Sequence, residues 1–227
     1  MSFAAVSVPV LNARVDSEYA EFGSLDKLFF DTNSRKQLLA NGDCLLSIAQ
    51  DLARGLAHIH SRGLLHRDLA PRNFLLGKGG RTLICDFGLA RFVDTETSRC
   101  SVRERVLLPR LLHELASSDG TVGFAADVFM LGIALAELIS GEQLAVSKSR
   151  RAEWIERFRA APATGEGCAV PTALASAVLA CLDADEAKRP TAAQLCSTLD
   201  AKSDGAGGAL KLADACRELK TAHKHAT

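Results

Sequence analysis

Residues 125–140, AADVFMLGIALAELIS, constrain the fold more than any other stretch of the chain. Their apolar side chains cover nearly every face of a helix. A helix without a polar face has to be surrounded by other elements, so this one is predicted at the centre of a domain. No stretch of the chain reaches the roughly 18 apolar, uncharged residues that a membrane-spanning helix needs. Asp127 sits inside the central segment. A buried carboxylate is costly unless it accepts hydrogen bonds or meets a cation, so Asp127 demands partners from elsewhere in the chain.

Further helices can be read around this centre. From Cys44 to His60 the apolar residues recur at Leu45, Ile48, Leu52, Leu56 and Ile59, the spacing of a helix with one buried face. Gly63 follows as a stop signal. The run from Ser24 to Phe29 reads as a short capped helix. Trp154, Ile155 and Phe158 share helical spacing, residues 172–182 form another apolar helix, and Thr191-Ala192-Ala193-Gln194 is a capping-box pattern that opens the next. Residues 209–222 read as an isolated amphipathic helix after a Gly-rich linker.

Strand signals are fewer. Residues 5–19 read as one or two strands, and Phe22-Gly23-Ser24 breaks that pattern. Residues 74–76 and 82–85 flank the Gly-rich stretch 77–80 and read as a β-hairpin. Residues 92–110 are polar, charged and aperiodic, a long loop of the kind that usually carries function. The order predicts an α+β fold, mostly α.

Composition narrows the class. A chain of 227 residues allows one domain or two small ones, and 48% hydrophobic with 24% charged residues excludes a disordered chain. Lys+Arg and Asp+Glu are both 27, which argues against an electrostatic nucleic-acid binder. The seven cysteines are odd in number and form no CxxC pair, so a reducing, cytoplasmic setting is expected. The N-terminus lacks a basic start and a long apolar run, so no signal peptide is expected.

Chemistry concentrates in two short segments. Residues 66–73 read His66-Arg67-Asp68-Leu69-Ala70-Pro71-Arg72-Asn73, and Asp86-Phe87-Gly88 follows after the predicted hairpin. Asp68 lies in a loop between a helix and a strand, where a carboxylate can accept a hydroxyl proton. Asn73 and Asp86 are hard oxygen ligands suited to Mg²⁺. With this spacing the chain resembles the eukaryotic protein kinase family, within its tyrosine kinase and tyrosine-kinase-like branch.

The resemblance implies ATP and Mg²⁺ as cofactors, Asp68, Arg67 and Asn73 as catalytic residues, and Asn73 and Asp86 as metal ligands. It implies that the segment from Ser17 to Leu25 is the hinge, with Ser17 as gatekeeper and backbone groups of Glu18 and Ala20 meeting adenine above Leu75. In that family the counterpart of Asp127 accepts backbone N–H bonds from the catalytic loop, and His66 packs as a structural residue. Arg189 of Lys188-Arg189-Pro190-Thr191 would pair with Glu114, which closes the activation segment. Thr95, Thr97, Ser98 and Ser101 lie in that segment, where Arg67 could meet a phosphate. His58 and His60 read as helix-surface residues.

The pattern also departs from the family. No glycine-rich phosphate loop or Val-Ala-x-Lys strand precedes the hinge, and Leu112-His113-Glu114 stands where Ala-Pro-Glu is usual. The expected organisation is a small-lobe strand remnant and hinge at 1–25, a kinase large lobe at 26–202, and a linker and tail at 203–227. The function implied is Mg·ATP-dependent phosphoryl transfer to a protein. The alternative is a pseudokinase or interaction module that binds a regulatory partner through the same lobe.

Overall fold

The all-round apolar segment is a helix, Phe124–Ser140, and the described chain is arranged around it. The computed structural model describes residues 20–31, 42–102, 109–163 and 170–201, Arg35, Leu38, Leu39 and Asp214, and the backbone of 5–7 and 14–16. In chain order the strands are β1 (Ala5–Ser7), β2 (Arg14–Asp16), β3 (Gly23–Ser24), β4 (Leu64–Leu65), β5 (Phe74–Leu76), β6 (Thr82–Ile84), β7 (Arg91–Phe92), β8 (Arg99–Ser101) and β9 (Thr121–Gly123). The helices are α1 (Leu25–Phe29), α2 (Gly42–Ser61), α3 (Arg110–Leu115), α4 (Phe124–Ser140), α5 (Lys148–Ala160), α6 (Thr172–Cys181) and α7 (Ala192–Asp200). This is the α+β, mostly helical arrangement that the sequence predicts.

Of the 17 residues in α4, 13 are buried, which makes it the core element rather than a surface one. Its C-terminus is closed by Gly141 at φ 72°, whose N–H returns to Glu137 O. The buried Arg35 guanidinium donates to Leu138 O and Ile139 O at 3.1 and 2.6 Å, satisfying carbonyls that the helix end leaves open. A Cβ on residue 141 would lie 2.7 Å from that guanidinium, so only glycine fits. α2 packs on α7, where Gln50 Nε2 donates to Leu199 O at 3.1 Å and Arg54 pairs with Asp200 at 2.7 Å. A single apolar core runs from Leu25 through α2, α4 and α6 to Leu199.

The predicted hairpin forms with Leu75 opposite Leu83, and its turn includes a short 3₁₀ segment at Lys78–Gly80. β3 adds to the free edge of β5, with Ser24 opposite Leu75 and Phe22 N–H donating to Leu76 O at 3.0 Å. The segment after Ala20 is thereby tied beside Leu75. Ser24 holds the N-cap position of α1, but its side chain makes no capping bond, contrary to the capped helix expected there. The capping box at α7 does form: Gln194 N–H donates to Thr191 Oγ1 and Thr191 N–H to Gln194 Oε1.

The loop at 92–110 is partly structured. β7 pairs with β4 (Leu64 opposite Phe92) and β8 with β9 (Cys100 opposite Val122), so both flanks are tied to the core. Among the described residues, no helix is long and apolar enough to cross a membrane. Ser17, Glu18 and, apart from Asp214, the predicted helix at 209–222 lie outside the described residues.

Candidate active site

The loop after β4 is organised by the buried carboxylate of α4. Asp127, fully buried, accepts His66 N–H at 2.7 Å and Arg67 N–H at 2.8 Å, one on each oxygen. The same Oδ2 lies 3.0 Å from His60 Nε2. Three donors therefore answer the cost of burying the charge. The backbone donors are those the family resemblance implies. His60 is a correction: it is not a plain surface residue, because the last turn of α2 carries its ring inward against Asp127 and Phe124.

His66 is fully buried and links the two motifs. Its Nδ1 accepts Asp68 N–H at 3.3 Å, so the proton is on Nε2, which donates to Cys85 O at 3.0 Å. Its ring meets Phe87 edge-on at 5.0 Å. Cys85 itself carries no charge here: burial, with the neighbouring Asp86 carboxylate adding to it, pushes its thiol up to about 11.

Asp68 and Asn73 face each other across the turn that closes at Pro71–Asn73. Asn73 Nδ2 donates to Asp68 O at 2.7 Å and to Asp68 Oδ2 at 2.9 Å. The other carboxylate oxygen accepts from the exposed Arg72. Arg72 is a site residue that sequence reasoning used only as a mark of family branch. Its i,i+4 offset from Asp68 across the Pro71 turn is the signal that could have found it. Both Asp68 oxygens keep lone pairs, so the carboxylate can still accept a proton from a hydroxyl group.

Asn73 spends its amide N–H groups on Asp68, and none of its described bonds uses Oδ1. Asp86 is exposed, sits at φ 59°, and uses Oδ1 for Gly88 N–H at 3.2 Å. Both residues thus keep an oxygen for a cation. Positive φ at Arg67 (68°) and Asp86 (59°) is uncommon for residues with a Cβ and marks the two ends of the site.

Arg67, which the resemblance groups with the catalytic residues, is tied to backbone carbonyls. It is fully buried, with Nε donating to Leu89 O at 2.8 Å and Nη1 to Ser101 O at 3.2 Å. It bridges the two flanks of the loop that follows Asp86 and reaches no open surface. The expected pair between Arg189 and Glu114 is also not made. Glu114 pairs with Arg151 and with Arg110. The Arg151 side chain is only 6% exposed, so it needs the countercharge more than half-buried Arg189 does. Arg189 donates to Asp183 O and Ala125 O at 2.9 and 3.1 Å and stacks over Phe129 at 4.6 Å.

Comparison with known proteins points to one family. Residues 6–199 match the family model described as protein tyrosine and serine/threonine kinase. A probable receptor-like serine/threonine-protein kinase of Arabidopsis thaliana is 32% identical over 206 residues, covering 82% of this chain and 46% of that protein. Mitogen-activated protein kinase kinase 9 of the same plant is 26% identical over 186 residues, covering 78% of this chain and 57% of its own length. A G-type lectin S-receptor-like serine/threonine-protein kinase is 33% identical over 129 residues, 56% of this chain and 15% of that protein. The chain therefore spans between about a seventh and somewhat over half of the length of these relatives.

Proposed function

Because the chain belongs to the protein tyrosine and serine/threonine kinase family, we propose that it transfers a phosphoryl group from Mg·ATP to a protein hydroxyl at the Asp68 site. One observation carries this reading: Asp68 is held by Asn73 and Arg72 in a loop that Asp127 anchors to the central helix. Asp68 accepts the proton of the attacking hydroxyl, and the bonds from Asn73 and Arg72 fix the direction from which it does so. Asp127 and Arg67 hold the loop so that no reorganisation is needed when the hydroxyl arrives.

Asn73 and Asp86 would hold the magnesium ion. Among the described residues no group of three or more His, Cys, Asp or Glu could hold a metal unaided. Two oxygen ligands suit Mg²⁺, which keeps water and takes its remaining ligands from phosphate. Bound Mg·ATP supplies the electrophilic phosphorus and a neutralised leaving group. Leu75 and the backbone of Ala20 and Glu18 would receive the adenine. Two of these relatives are named serine/threonine-protein kinases, and that supports serine or threonine as the acceptor. A cytoplasmic setting belongs to the same proposal and rests on the thiol content.

The test is transfer of labelled γ-phosphate from Mg·ATP to casein, followed by phosphoamino acid analysis. Asp68→Asn should lower the rate by about 10²–10⁴-fold with an unchanged melting temperature. Equal transfer by Asp68→Asn would remove Asp68 from the role.

A further inference from the structure

A cavity of about 490 Å³ opens between α3, α5 and the loop leading into α7, away from Asp68, Asn73 and Asp86. Its volume is that of a small ligand site. Leu111, Phe129, Ile155 and Leu182 give it an apolar lining. The charges around it are unevenly matched. Glu114 is taken by Arg151, and Glu186 is taken by Arg99 at 2.9 Å. Lys148 and Arg189 remain, and among the described residues neither makes an ion pair with a carboxylate.

Arg189 is the more telling of the two. Its Nε, Nη1 and Nη2 donate to the carbonyls of Asp183, Ala125 and Ala184. A guanidinium has five N–H groups, so two lack an acceptor among the described residues. Burial pulls this guanidinium below its ordinary value, with the neighbouring acids only partly opposing that. A carboxylate placed here would relieve a cost that the fold already bears.

We propose that this cavity docks an extended peptide segment of a protein partner, in which an acidic residue lies beside a bulky apolar one. The carboxylate answers Arg189 and Lys148, and the apolar side chain rests on Phe129 and Ile155. Charge complementarity decides the occupant: Glu186, Asp183 and Asp185 offset the Arg189 charge only in part and Lys148 has no carboxylate partner among the described residues, so an apolar peptide adds no countercharge and a basic one adds to the positive charge. The site is independent of the chemistry at Asp68.

Fluorescence anisotropy with a fluorescein-labelled Gly-Ser-Asp-Glu-Phe-Leu-Gly peptide tests this. The comparison peptide carries Lys-Lys in place of Asp-Glu. Lys148→Glu and Ala152→Trp change exposed residues at the rim, the first reversing charge and the second filling space. The acidic peptide should bind about tenfold tighter than its basic counterpart. Both variants should weaken it by a similar factor, and Asp68→Asn should bind it as the parent does. Equal binding of the two peptides, parent-like binding by both rim variants, or no binding of the acidic peptide at millimolar concentration would each overturn the proposal.

Discussion

Asp127 and Glu137 are both buried carboxylates on α4, and they are stabilised in different ways. Asp127 takes its donors from the His66–Arg67 backbone and from His60, so it couples the core to the site. Asp127→Ala leaves two buried N–H groups unanswered. Urea denaturation should show a loss of about 2–5 kcal/mol, and a loss under about 0.5 kcal/mol would contradict that role. Glu137 accepts Leu144 and Ala145 N–H at 2.7 and 2.8 Å on one oxygen, closing the turn after α4. Burial raises its carboxyl above the ordinary value, and these two bonds only partly oppose the rise. The folded protein therefore holds this proton to higher pH than the unfolded chain. The resulting stability is present below the ordinary glutamate value and is lost as pH rises through the raised one. Glu137→Gln removes the titration and keeps an oxygen for both N–H groups. The melting temperature of the parent relative to this variant should be highest below the ordinary glutamate value and fall as pH rises above it. A difference independent of pH would show that the two bonds alone matter.

At the scale of elements, α4 passes close to the C-terminal end of α6 at Gly132. A Cβ at Gly132 would stand 2.7 Å from Cys181 Cβ and 3.0 Å from Leu182 Cδ2. Helix propensity favours alanine over glycine by about 1 kcal/mol, but here the two helices would have to separate. Gly132→Ala should cost about 1–3 kcal/mol. Gly55, inside α2, meets only the Ile84 side chain, at 3.3 Å. That side chain can yield, so Gly55→Ala should be neutral or mildly stabilising in the same thermal unfolding series. If both variants lost equal stability, close packing of α4 on α6 would not be what glycine serves at 132. Cys181 lies in the same contact, and complete burial pushes its thiol up to about 12, so it acts there as an apolar group.

For the whole molecule, what could be read from sequence depended on whether the signal was local. The span of α2 follows from the spacing of Leu45, Ile48, Leu52, Leu56 and Ile59, and α4 from the lack of a polar face. The hairpin and the Thr191 capping box are equally local, and both form. Asp127 was legible for a different reason: a carboxylate in an apolar helix has to find donors. What was not legible depends on distance in space. His60 turns inward because α2 ends beside α4, 67 positions further along the chain. Glu114 chooses Arg151 over Arg189 because Arg151 is the more buried cation, which no spacing reveals. The Arg67 guanidinium is taken by Leu89 O and Ser101 O, 22 and 34 positions further along the chain. The proposed chemistry requires Asn73 and Asp86 to present oxygen to a magnesium ion beside Asp68. Thermal shift of the 227-residue chain with Mg·ATP tests it most directly. The melting temperature should rise with Mg·ATP, rise less when EDTA is present, and show no Mg²⁺-dependent part in Asp86→Asn. A rise that is the same with EDTA, or the same in Asp86→Asn, would contradict it.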